Sequence, residues 1–145
     1  MDEPTWEQVK TEALGATDYD RKFFNFLQTP IPVDSPDQIM EAASEAEAKN
    51  WFTITRIACV NEAITDVNRW RAGQRALSLS KYSKEKVAIA EAKTAADLAE
   101  IDWVLSVLTT ELTYLKQMSD TIARRCSLCQ SYLSNMTAMV KSGVK

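Results

Sequence analysis

The side chains best suited to chemistry crowd into one stretch of this 145-residue chain. Arg69, Trp70, Arg71, Arg75, Lys81, Tyr82, Lys84, Lys86 and Lys93 fall within it. Arginine and lysine neutralise phosphates, and aromatic rings give unpaired bases a surface to stack on. Cations interleaved with rings therefore match the chemistry of a single-stranded polyanion. The plain alternative is that Trp70 packs in a core and the cations pair with acids elsewhere in the chain. Arg124-Arg125 forms a second, smaller basic spot, expected on an exposed helix face.

The net charge of −3 conceals this stretch. Residues 1–68 carry 13 acidic and 5 basic side chains, net −8. Residues 69–93 carry 7 basic and 2 acidic, net +5, and residues 94–145 carry 5 of each. Such asymmetry along a chain is a candidate electrostatic site.

Other chemistry is scarce. The chain has no histidine, so Ser-His and Cys-His nucleophiles and His-ligated metals are excluded. The three glycines are too far apart for a phosphate loop. Cys126 and Cys129 have a CxxC spacing but no second pair to complete a metal site, and no βαβ setting for redox work. At helical spacing both fall on an apolar stripe, and core packing is the better reading. No catalytic residue, metal site, cofactor or small-molecule substrate is evident. No stretch reaches the roughly 18 apolar residues that span a bilayer, and Met1-Asp2-Glu3-Pro4 is too polar to open a signal peptide.

Helices must position the basic stretch. All four prolines precede residue 37, and only Gly73 and Gly143 follow it. A sheet needs turn residues throughout, so an all-α fold is expected. Pro4 to Gly15 predicts a first short helix. Thr17 or Asp18 would cap a second one holding Tyr19, Phe23, Phe24, Phe26 and Leu27, a dense aromatic plug for a core or a partner. Residues 29–34 must be extended, since proline disfavours helix in the residue before it.

Ser35-Pro36-Asp37-Gln38 starts a long helix, with a serine cap and proline in the first turn. It is expected to reach about Ala72, with Gly73 as a left-handed cap. Ile54, Ile57, Val60, Ile64 and Val67 mark its buried face. Residues 74–93 predict a loop and a short helix. Thr94-Ala95-Ala96-Asp97 predicts another helix start. The division is then 1–34, short helices and a linker, and 35–145, a long-helix bundle broken near 73–93.

The last helix carries the clearest pattern. Leu98, Ile101, Leu105, Leu108, Leu112, Leu115, Ser119, Ile122, Cys126, Cys129, Leu133, Met136 and Val140 follow one another in steps of three and four. This is a sustained heptad repeat, the signature of a coiled-coil-like seam. Val104, Met118, Tyr132 and Met139 widen it. Ser119, its one polar member, either sets the register or is tolerated. A helix of about 70 Å is too long for so small a chain to cover easily. A helical hairpin in a homo-oligomer is therefore expected, with Leu98, Ile101, Leu105, Leu108, Leu112, Leu115, Ile122, Cys126, Cys129, Leu133 and Met136 at the oligomer interface.

The layout also resembles a known family. Asp97-Leu98, Tyr114-Leu115 and Ile122-Ala123-Arg124-Arg125 resemble elements in the C-terminal helix of the tailed-phage UvsY family of recombination mediators. Asn68-Arg69-Trp70-Arg71-Ala72-Gly73 stands where that family has an aromatic pair before glycine, although only Trp70 remains of the pair. The family's upstream basic positions hold Thr65 and Val67 here, so Arg69, Arg71 and Arg75 would have to make the contacts. The resemblance covers about half of the chain. It implies a non-enzymatic, oligomeric protein that binds single-stranded DNA and helps load a recombinase, located in the cytoplasm (the host's, if phage-encoded). The rival expectation is a structural or scaffolding helical protein, a virion component or adaptor, that docks through the aromatic plug.

Overall fold

A computed structural model describes residues 3–141 and 143. The architecture is all-α: helix α1 (Trp6–Gly15), a 3₁₀ helix (Arg21–Gln28), α2 (Pro36–Lys81), α3 (Val87–Asp97) and α4 (Ala99–Lys141). The chain forms two compact units, each made of distant segments. One holds Met1–Tyr19 and Ala58–Thr113, the other Asp20–Ile57 and Tyr114–Lys145. Of the N-terminal elements, α1 belongs to the first unit and the 3₁₀ helix to the second.

Local chemistry explains the N-terminal elements. Thr5 caps α1 in a reciprocal box: its hydroxyl accepts the Gln8 N–H at 3.3 Å, and Gln8 Oε1 accepts the Thr5 N–H at 2.9 Å. Neither Thr17 nor Asp18 caps the next element. Thr17 donates its hydroxyl to the Leu14 carbonyl at 2.7 Å, and Asp20 accepts the Lys22 N–H at 3.0 Å instead. The cap lies two residues later because the chain is still closing α1, where the Thr17 and Asp18 N–H groups bond Leu14 and Gly15.

The long helices are where expectation and structure part. α2 does not stop at Ala72; it runs through Gly73 to Lys81. Gly73 takes no left-handed conformation. A helical glycine costs only about 1 kcal/mol, and the next two turns are held by burial of Ser78 and by its contact with α3. The break falls at residues 82–86, closed by hydrogen bonds from Ser83 N–H to Ser80 O and from Glu85 N–H to Tyr82 O. Thr94 begins no helix; it is buried inside α3. The chain then passes Leu98 almost as continuous helix, since Leu98 N–H bonds Thr94 O and Asp102 N–H bonds Leu98 O.

Within each unit α2 and α4 run antiparallel. In the first unit Arg71 meets Asp102 and Ser78 meets Asp97. In the second Ser119 donates to Asn50 Oδ1 at 2.9 Å, so the polar member of the seam has a partner on α2. Buried positions on α2 recur at sevens: Ile39, Ala46, Thr53, Val60 and Val67. Thr53 replaces the expected Ile54, which is 44% exposed. Its hydroxyl donates to the Lys49 carbonyl at 2.8 Å, so burial leaves no polar group unmet.

On α4 the buried row is Ile101, Val104, Leu108, Glu111, Leu115, Ile122 and Cys129, while Leu105 and Leu112 are half-buried. The expected seam was therefore turned by about one position in its first half. Glu111, 3% exposed, stands where an apolar residue was expected to its side. No strand occurs among the described residues, and no described helix is long and apolar enough to cross a membrane.

In the first unit Lys10 Nζ lies 2.6 Å from Glu100 Oε1 and ties α1 to α4. The hydrogen bond from Lys10, and then one from Trp6, holds the Glu100 carboxyl below its ordinary 4.5. A depressed carboxyl stabilises the fold above that ordinary value, and the contribution is lost as the pH falls through the depressed one. Glu100→Gln is expected to flatten the acid limb of stability against pH, read by urea unfolding from about pH 3 to 7. An unchanged acid limb would show that the pair contributes nothing.

Candidate nucleic-acid interface

All the residues of the basic stretch lie in the unit containing Ala58–Thr113, but folding does not gather them into one surface. Arg69 follows buried Val67 by two positions, roughly 200° around α2. It faces outward, with side-chain exposure of 78%, and lies 3.9 Å from Asp66. Arg71 turns the other way. Its Nε is 2.6 Å and its Nη2 3.5 Å from the two carboxylate oxygens of Asp102, a fork that raises the guanidinium's already high pKa.

The rings are also engaged. Trp70 is half-buried and stacks on Trp6, with centroids 6.1 Å apart and planes 28° from parallel. Tyr82 donates its hydroxyl to Asp97 Oδ2 at 2.9 Å, and Ser78 donates to the same oxygen at 3.1 Å. The ammonium groups of Lys81 and Lys93 lie 5.2 and 5.4 Å from the Tyr82 ring centroid. Lys93 is in turn paired with Glu85 at 2.5 Å, which raises its pKa. Neither ring is an open stacking platform.

What remains is a smaller group of cations. Arg75, Lys84 and Lys86 are exposed and form no ion pair among the described residues, and Lys81 is exposed beside Tyr82. They sit at the C-terminal end of α2 and in the turn after it. Four exposed cations over twelve residues can follow a phosphate backbone without reading bases.

The other unit holds a cation–aromatic cluster that sequence reasoning missed. Lys49 lies 4.3 Å from the Phe26 centroid and 5.0 Å from that of Phe23. Arg21 lies 4.5 Å from Tyr114, Arg125 5.7 Å from Phe26 and Arg56 5.9 Å from Phe52. Arg125, expected on an exposed face, is half-buried and donates to the Thr29 carbonyl at 2.7 Å. The spacing of Lys49, Phe52 and Arg56 in steps of three and four was the available signal. The aromatic plug is thereby spent inside the chain: Phe24 is 5% exposed, and Phe23 packs on Phe52 with centroids 4.4 Å apart.

The residues expected between chains are mostly buried within this one. Leu98, Ile101, Leu108, Leu115, Ile122 and Cys129 are at most 4% exposed. Leu105, Leu112, Cys126, Leu133 and Met136 are half-buried. Burial raises the Cys126 thiol pKa, and both CxxC cysteines are free. Among the described residues no group of three or more metal-ligating side chains occurs. No family model, curated protein or solved structure matches this chain.

Proposed function

We propose that the chain is a non-enzymatic helical protein that binds single-stranded nucleic acid by its phosphates. The observation that supports this reading is the exposed group Arg75, Lys81, Lys84 and Lys86. A role as a recombination mediator, with single-stranded DNA as ligand and a recombinase as partner, rests on the resemblance to the UvsY family. Engaged rings argue for electrostatic rather than stacking contact.

Fluorescence anisotropy with a labelled oligonucleotide tests it. Four phosphate contacts on a single strand correspond to a log–log salt slope of about −3. Lys81→Glu, Lys84→Glu and Lys86→Glu together are expected to weaken binding at least about tenfold at low salt, whereas Trp70→Phe leaves affinity unchanged. A flat titration at low salt, or an affinity indifferent to salt, would end this reading.

A structural or scaffolding role is the second reading. It no longer has the aromatic plug as a docking element, but one observation favours it: Trp51 is 70% exposed on the outer side of α2.

A further inference from the structure

The phosphate-contact group has an acid inside it. The turn after α2 reads Lys84-Glu85-Lys86, so a carboxylate stands between two of the exposed cations. A phosphate drawn to those lysines meets Glu85 as a like charge. In water, a like charge about 4 Å away changes binding about fivefold.

Glu85 is not left free. Lys93 lies eight residues on, in α3, and its Nζ is 2.5 Å from Glu85 Oε1. An exposed pair of this kind is weak by itself. Here the ammonium has a second seat, 5.4 Å from the Tyr82 ring centroid. That ring is held by its hydroxyl, which donates to Asp97 Oδ2 at 2.9 Å. Ser78, buried in α2, donates to the same oxygen at 3.1 Å and fixes the carboxylate in turn. Contacts therefore run in series from a buried serine to the turn: Ser78 to Asp97, Asp97 to Tyr82, Tyr82 to Lys93, and Lys93 to Glu85.

We propose that Lys93 is a positioning residue for the phosphate site, masking Glu85 so that the turn presents its cations without a competing acid. Lys93 itself touches no phosphate. Asp97 and Tyr82 act one step further back, by holding Lys93 where it reaches Glu85. The inference rests on the nucleic-acid reading and deepens it. It gives a purpose to a cation of the basic stretch that folding has tied to an acid, and to a ring that is no stacking platform.

Anisotropy titrations of the full chain over a salt series test it, with folding of each variant checked by circular dichroism. The log–log slope changes by about 0.7 for each phosphate neutralised on a single strand, so the parent is expected near about −3. Lys93→Met is expected to unmask Glu85 and cancel one cation. The slope then falls to about −2, and affinity at low salt drops about fivefold. Lys93→Arg keeps the parent values. Glu85→Gln in the Lys93→Met background restores them. Glu91 is the control: it is exposed on α3 and forms no ion pair among the described residues. Glu91→Gln removes the same charge, yet in the Lys93→Met background it is expected to leave the loss in place.

A Lys93→Met slope equal to the parent's would overturn the proposal. Equal rescue by Glu91→Gln would do so too, because only net charge would then matter. So would absence of rescue by Glu85→Gln, because Lys93 would then be contacting phosphate itself. Failure of the nucleic-acid reading is separate, since it shows in the parent alone as binding that is absent or indifferent to salt.

Discussion

Phe24→Ala is expected to remove about 3–5 kcal/mol of folding stability. Phe24 is 5% exposed and is the centre of the plug. It stands edge-on to Phe23 at 5.1 Å and to Tyr114 at 5.8 Å, with planes 88° and 84° apart. Edge-to-face pairs add roughly 0.5–1.5 kcal/mol beyond area burial. Around them Lys49 and Arg125 lie against Phe26, so the ring cluster also holds cations. Truncation empties a site that several elements surround, and neighbours tied into helices can collapse only partly. Domains of this kind have about 5–15 kcal/mol in total, so the loss is a large share. Urea unfolding measures it. Had the plug been a docking element for a partner, the same variant would leave stability intact; a loss below about 1 kcal/mol would show this packing to be wrong.

Leu115→Ala is expected to cost about 2–5 kcal/mol, and the cost should not depend on protein concentration. Leu115 is completely buried, in a row with Leu108 and Ile122 one heptad to either side. Because the chain covers this row itself, the transfer and cavity terms arise within one molecule. The shift in unfolding midpoint relative to the parent should be the same in dilute and concentrated solution, and the mass in solution should not fall. A seam between chains behaves differently: the variant would dissociate, and its penalty would grow on dilution. Leu105→Ala provides the internal comparison. Its side chain is half-buried, so it leaves a smaller cavity and should cost less.

The α-helical class and the existence of a long C-terminal helix follow from local pattern alone. Proline and glycine punctuation and three-to-four spacing act within a turn or two, so they can be read without knowing what a helix packs on. The short first helix ending at Gly15 and the helix start at Pro36 are of this kind. Where a helix ends is less local. Gly73 was a reasonable stop, yet contacts made by Ser78 and Tyr82 with Asp97 on a later helix carry α2 onward. The choice of Thr53 over Ile54 as the buried position has the same origin. Apolarity favours isoleucine, but the heptad phase of α2 is set along its whole length, and a threonine that bonds its own helix can be buried at little cost.

The electrostatics were decided by tertiary structure almost entirely. Along the chain the charge runs −8, +5 and 0. Folding joins the basic stretch to acidic residues 1–19 and to the start of α4, so that unit holds 13 acidic and 8 basic side chains, net −5. The other unit holds 7 acidic and 9 basic, net +2. Arg71 finds Asp102 31 residues away and Lys10 finds Glu100 90 residues away. A sequence displays which charges exist and on which helical face each one lies. It does not display which partner arrives from a distant segment, because pairing depends on three-dimensional distance, and a charge separated by half the chain can stand closer than the next turn of the same helix. The sequence by itself therefore determined helices, stripes and a supply of cations; only the fold decided that Arg71 and Lys93 are tied down and that Arg75, Lys81, Lys84 and Lys86 are left to meet solvent or a ligand.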